Sequence, residues 1–236
     1  MPLNLASNGQ VEKSLTTSVL VYATPGTGKT MLVKTLPHKK ILFFAFEKKY
    51  RKLDECIPDG KEITYINFFD WKDIESNLTE LIELIKSHDV IVLDSLTEMR
   101  DVFISAVGRQ KVLGGKEVAG HEKTMLYYGY LSAKLLGFID WIKSFNKDLY
   151  CIATMLENKS MKQMAPNLSD KLTITIAGKI NYVLPLAKGM DRERFFPISS
   201  PEYFTRLEDE DGIMDKAKDG KLPADLSLLF GKQDEV

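Results

Sequence analysis

The chain has 236 residues, 44% of them hydrophobic and 28% charged, with 32 basic and 33 acidic side chains and a formal net charge of -1. That length suits one large α/β domain. The charge balance excludes a uniformly basic nucleic-acid coat, so an anionic polymer would have to be held by local patches.

Short β-branched runs alternate with longer stretches of helical period. "SVLVYA" (Ser18 to Ala23), "KILFFAFE" (Lys40 to Glu47), "EITYINF" (Glu62 to Phe68), "DVIVLDS" (Asp89 to Ser95) and "LYCIATM" (Leu149 to Met155) read as strands buried on both faces of a parallel sheet. "KTMLVKTL" after the first run reads as a helix. Ile74, Leu78, Leu81, Ile82 and Ile85 predict one apolar helix face, and Tyr128, Leu131, Leu135, Phe138, Ile142 and Phe145 a longer one. This alternation predicts right-handed crossovers and a mostly parallel sheet with helices on both faces. Later, "NYVLPLA", "RFFPIS" and "EYFTRLE" predict antiparallel strands added at the sheet edge. The segment from Leu207 to Val236 carries nine acids and four bases. It reads as a solvated, partly irregular acidic tail, with "PADLSLLF" docking on the body. The whole of 1–236 is expected to be one domain.

Cys56 and Cys151 have no CxxC spacing and read as buried free thiols in a reducing compartment. His38, His88 and His121 are scattered, without the spacing of a zinc site. The chain opens without a signal-peptide pattern and holds no apolar run of membrane-spanning length, so a cytoplasmic protein is expected.

The chemistry is concentrated in "YATPGTGKT", Tyr22 to Thr30. It follows a predicted strand and opens a predicted helix, the context a phosphate-binding loop requires. Backbone N–H groups of Thr24, Pro25's successors Gly26, Thr27 and Gly28, and of Lys29, Thr30 and Met31, can wrap the phosphates of ATP, with the helix dipole behind them. Pro25 stiffens the turn. Lys29 would reach the β- and γ-phosphates, and the Thr30 hydroxyl would bind Mg²⁺. The usual first glycine of the pattern is Ala23, and a methyl group is tolerated there if φ is negative.

Asp94 ends the "VIVLDS" run, where ligands of open parallel sheets bind, and would hold the Mg²⁺ shell opposite Thr30. "SLTE" after it is a capping box. Glu47 ends the second run. If that strand neighbours the loop strand, Glu47 faces the γ-phosphate and can orient water, so Lys29, Glu47 and Asp94 form the candidate catalytic set. Glu157 and Asn158, after the fifth run, are candidate γ-phosphate sensors.

"VIVLDSLTEM", together with Glu47, resembles the Walker B strand and the strand-terminal glutamate of RecA-like recombinases. The chain is similar, from about Ser18 to Leu226, to the compact phage RecA-like ATPase family linked to single-strand annealing and recombination. The resemblance implies a RecA-like P-loop NTPase core and Mg²⁺-dependent ATP hydrolysis stimulated by DNA. It also implies a homo-oligomeric ring or filament, single-stranded DNA and a single-strand binding protein as partners, and a bacterial host cytoplasm. Two segments correspond to the family's DNA-facing loops. "GRQKVLGGKEVAGHEK" supplies Arg109, Lys111 and Lys116, and "NKSMKQMAPNLSDK" supplies Lys159, Lys162 and Lys171. The family's basic "AKxR" element is altered here to "AKDGKLP", with Gly220 where the arginine falls. Lys216, Lys218, Arg192, Arg194 and Arg206 remain as candidates for a basic residue given to a neighbouring subunit. A P-loop small-molecule kinase and a nucleotide-switched interaction module are the alternative classes.

Overall fold

The structure is a computed structural model and describes residues 16–46, 58, 60–108, 112–113, 116–117, 121–208 and 212–230. The main sheet is built from β1 (Ser18–Ala23), β2 (Lys40–Ala45), β3 (Glu62–Asn67), β4 (Val90–Asp94), β7 (Asp148–Asn158), β8 (Gln163–Pro166) and β9 (Tyr182–Pro185). Its order is β3-β2-β4-β7-β1-β9, with β8 paired to β7. All pairings along that path are parallel; only β8 runs antiparallel. The five apolar runs fold as strands of this sheet; β1, β2 and β4 are buried on both faces, whereas β3, at the sheet edge, is only half-buried, contrary to the expectation for it. Between β4 and β7 the chain forms the short antiparallel pair β5 (Val112–Leu113) and β6 (Lys116–Glu117).

The two faces of the sheet are covered differently. Helices α1 (Trp71–Ser76), α2 (Leu78–Ser87), α3 (Leu96–Gly108), α4 (His121–Lys143) and α5 (Asp170–Ala177) all contribute to one core, through Ile74, Leu81, Met99, Leu135 and Ile176 among others. The opposite core holds Leu32, Val33 and Leu36, the small sheet described below, and the chain's last described segment. The expectation of helices on both faces is corrected here. "TMLVKT" forms only a 3-10 segment, Thr30–Thr35, because Leu36 turns extended before Pro37, which cannot continue a helix.

Three further readings change. The helix expected through Ile74 and Leu78 is split at Asn77, whose side-chain amide donates to the Asp73 carbonyl and competes with the backbone ladder. Leu78 is left exposed. "NYVLPLA" supplies β9 as a parallel edge strand rather than an antiparallel one. "RFFPIS" instead enters a separate antiparallel sheet of β10 (Ala187–Lys188), β11 (Arg194–Pro197) and β12 (Lys221–Pro223), while "EYFTRLE" makes only isolated bridges at Tyr203 and Arg206. The acidic tail packs further than expected: "PADLSLLF" docks on the body as predicted, and Ile213 and Leu222 bury before it. Ile213, Leu222, Leu226, Leu229 and Phe230 are buried, and the Leu226 amide donates to Thr35 Oγ1 at 2.8 Å. Apolar burial of this kind outweighs the acidic composition that suggested a solvated segment.

Cys151 is a buried free thiol, and Cys56 lies outside the described residues. His38 bonds Asp148 at 2.7 Å and His88 bonds Thr64 at 2.9 Å, both as structural ties. Among the described residues no helix is long and apolar enough to cross a membrane.

Candidate functional site

The loop leaves β1 at Ala23 and turns back at Thr27, where Thr27 Oγ1 donates to the Thr24 carbonyl at 2.9 Å. Gly26 and Gly28 have φ of 78° and 103°, the left-handed half of backbone space that only glycine enters freely. Ala23 needs no such freedom: it is the last residue of β1, in register with Thr154, and its methyl group packs in the core. The alanine in place of the usual glycine is thus accommodated, and the cradle keeps both glycines that shape it.

Lys29 is buried, and its Nζ donates to the carbonyls of Ala23 (2.9 Å) and Thr24 (3.1 Å). An ammonium held inside the curl of its own loop is placed to meet phosphate oxygens entering that curl. The loop is supported from beneath by a residue that no motif signals. Tyr150, on β7, donates its hydroxyl to the Lys29 carbonyl at 2.8 Å. Burial, followed by the nearby Asp94 carboxylate, raises the pKa of Tyr150 well above the ordinary phenol value, so it remains a neutral donor.

Asp94 ends β4, opposite Ile152 of β7, and Thr30 Oγ1 donates to Asp94 Oδ2 at 2.7 Å. A hydroxyl and a carboxylate in contact at the rim of a phosphate loop are hard oxygen donors, and they fit Mg²⁺ better than a softer metal. Among the described residues no cluster of three His, Cys, Asp or Glu could hold a metal alone. A cation here would draw its remaining ligands from phosphates and water, as Mg²⁺ does. The Asp94–Ser95 peptide is cis. Ser95 Oγ accepts the Glu98 amide at 3.2 Å, giving one half of the expected capping box. Thr97 Oγ1 accepts the Thr154 amide at 3.1 Å and thereby ties the start of α3 to β7.

Glu47 lies outside the described residues. The condition attached to it is not met as stated, because β2 neighbours β3 and β4 rather than β1. The strand leading to Glu47 instead ends beside the metal-binding candidate: Ala45 is in register with Asp94, and the Phe46 amide donates to the Asp94 carbonyl at 2.9 Å.

β7 runs three residues further than predicted and forms a hairpin with β8. Asn158 is buried near its tip; it accepts the Met161 amide at 3.0 Å and donates to Asp170 Oδ1 at 2.8 Å. That side chain is therefore engaged in holding the hairpin to α5, and Glu157 is exposed near the end of β7. The second basic segment is thus a built hairpin, where the sequence suggested a loose loop. Lys159, Lys162 and Lys171 are all exposed, and the Asn158–Asp170 bond joins the hairpin that carries the first two to the start of α5, which carries the third. Of the first segment, Arg109 and Lys111 lie outside the described residues, and Lys116 falls on β6.

The hairpin is linked to the phosphate loop through Tyr22, one residue before the end of β1. The Tyr22 hydroxyl lies 2.7 Å from the Phe204 carbonyl and 3.1 Å from the Met164 carbonyl of β8. Burial, reinforced by Tyr203, raises its pKa and keeps it neutral.

Of the remaining basic candidates, Arg206 is committed to the Ala177 carbonyl and Glu208. Lys218 and Lys221 close a tight turn over Asp219 and Gly220, which have φ of 50° and 69°. A Cβ on Gly220 would lie 3.1 Å from Ser199 at a left-handed φ of 69°, so the family's arginine would strain this turn and press Ser199 aside. Beside it opens a cleft of about 650 Å³, walled by Asp191, Glu193, Arg194, Lys216, Lys218 and Lys221 among others. Arg194 is also in contact with the phosphate loop, a neighbourhood that nothing in the sequence indicates.

A family model described as an AAA domain matches residues 16–213. Among solved structures, the chain is similar to a KaiC-like protein from the hyperthermophilic archaeon Pyrococcus horikoshii OT3. The identity is 17%, the alignment covers 81% of this chain and 82% of that one, and the TM-score is 0.41. No curated protein matches the sequence.

Proposed function

Because the chain belongs to the AAA domain family, whose domains are P-loop NTPases, we propose that it is an ATPase that couples Mg²⁺-ATP hydrolysis to binding of single-stranded DNA. The observation that carries the nucleotide reading is the Thr30–Asp94 contact of 2.7 Å beside a loop that holds Lys29 in its curl. Backbone N–H groups of the loop and the Lys29 ammonium bind the β- and γ-phosphates, and Thr30 and Asp94 hold the metal shell. Mg²⁺ held by Thr30 and Asp94 would supply neutralisation of phosphate charge. Glu47, on the segment that follows β2, orients the attacking water and takes its proton.

The DNA reading is supported by the hairpin. Lys159 and Lys162 on the hairpin and Lys171 on α5 are all exposed, and Tyr22 ties the hairpin to the phosphate strand. Each lysine paired with a phosphate releases counterion from a single strand, at about 0.7 in log–log salt slope per contact. The resemblance to phage annealing and recombination ATPases adds a ring or filament assembly and cytoplasmic action beside a single-strand binding protein.

The test is fluorescence-anisotropy binding of an oligothymidylate over a salt series, with ATP or ADP present. Wild type is expected to bind more tightly with ATP. Replacing all three lysines by alanine should lower the salt slope by about 2. An unchanged slope would remove this surface, and equal affinity with both nucleotides would remove the coupling.

A further inference from the structure

Arg194 lies 167 positions from Thr27 in sequence, yet its Nε donates to the Thr27 carbonyl at 2.8 Å. Its guanidinium rests against the phosphate loop so closely that a Cβ on Gly28 would come within 2.7 Å of Cζ and Nε. The backbone that carries it is fixed in the small sheet: Arg194 pairs with Lys188 across β10 and β11, and its carbonyl accepts the Ala224 amide. The side chain is exposed, and among the described residues its two Nη groups bond no protein atom and form no ion pair. A guanidinium held by one N–H edge presents its remaining N–H groups in a fixed plane, which suits paired recognition of phosphate oxygens.

We propose that Arg194 is a nucleotide-binding residue acting in cis, clipped by Nε to the phosphate loop of its own chain and offering its free Nη edge to a phosphate of the bound nucleotide. The proposal rests on the nucleotide reading above and adds to it. The small sheet becomes a wall of the site, and Gly28 is glycine both for its φ of 103° and for the room the guanidinium needs. It also reassigns a residue that resemblance offered only as a contact to a neighbouring subunit.

The experiment titrates a fluorescent ATP analogue into wild type, Arg194→Ala, Arg194→Lys and Lys29→Ala, each at two salt concentrations and each checked for an unchanged melting curve without nucleotide. Arg194→Ala should weaken binding on the order of tenfold to a hundredfold, the range of a charge-assisted hydrogen bond, and flatten its salt dependence. Arg194→Lys should recover only part, because one ammonium cannot span the loop carbonyl and the phosphate. Hydrolysis is then measured in mixtures of Lys29→Ala with Arg194→Ala. Action in cis predicts no recovery, since no composite site holds both residues on one chain. Binding by Arg194→Ala within twofold of wild type, or recovered hydrolysis in the mixture, would overturn the proposal. If wild type itself binds no nucleotide, the nucleotide reading falls and this one with it, whereas failure of the arginine variants alone to show a loss leaves that reading standing.

Discussion

Replacing Tyr150 by phenylalanine removes a single oxygen and tests whether the strand beside β1 holds the phosphate loop in shape. The ring stays in its buried place, so no cavity opens, and the loss is confined to the bond to the Lys29 carbonyl. That carbonyl also accepts the Leu32 amide at 3.1 Å, so it is not orphaned. The cost therefore falls near the net worth of one hydrogen bond, about 1 kcal/mol, and below the 1–3 kcal/mol of a fully unsatisfied group. In a chain of this length that is a fall in Tm of about 2–4 °C. If the bond orders the loop for its ligand, ATP affinity should fall about fivefold as well. Thermal denaturation and ATP-analogue titration of the same preparation give both numbers. A Tm loss without any loss of affinity would show that Tyr150 supports the core alone, and no change in either would refute the reasoning.

Other outcomes follow from the same geometry. Gly28→Ala should weaken nucleotide binding more than Gly26→Ala does, because it meets both a left-handed φ and the Arg194 guanidinium, which must shift. Gly26→Ala, with nothing within 4 Å of the added Cβ, should cost only backbone strain of about 1 kcal/mol; titrating both variants checks the order. Tyr22→Phe breaks the tie from β1 to the hairpin, so it should leave ATP affinity near wild type and shrink the difference in DNA affinity between the ATP and ADP states. Burial pushes the Cys151 thiol up to about 12, with the Lys143 ammonium opposing the rise. The folded chain keeps a proton that the unfolded chain loses above about pH 8.5, so this contribution is complete below that pH and is lost as pH rises towards the folded value. Denaturant unfolding at pH 8 and pH 10 should show wild type losing on the order of 1–2 kcal/mol more than Cys151→Ala.

The parts of this fold that were legible in sequence are those with local signals. Each buried strand announces itself as a β-branched run, and the loop between Ala23 and Thr30 carries its glycines, lysine and threonine at fixed spacing. Asp94 could be paired with Thr30 because Asp94 ends one such strand and Thr30 closes the loop that leaves another, and the 2.7 Å contact follows from that placement. What escaped is non-local. Tyr150 meets the Lys29 carbonyl across 121 positions and Arg194 meets Thr27 across 167, and neither has a motif to mark it. The split at Asn77 turned on one side-chain amide competing with a helical carbonyl. In the C-terminal segment the docking of "PADLSLLF" was legible from its apolar run, whereas the burial of Ile213, set among acids, was not. The neighbour of β2 could not be read from periodicity at all, because sheet order depends on crossovers that leave no mark in hydropathy.

The most direct test of the central claim is the rate of ATP hydrolysis by the purified full chain with Mg²⁺, measured with and without single-stranded DNA and beside Lys29→Ala. The account predicts turnover that rises when DNA is added and vanishes in the variant. Turnover that is the same with and without DNA would contradict the coupling, and turnover that persists in Lys29→Ala would contradict the site itself.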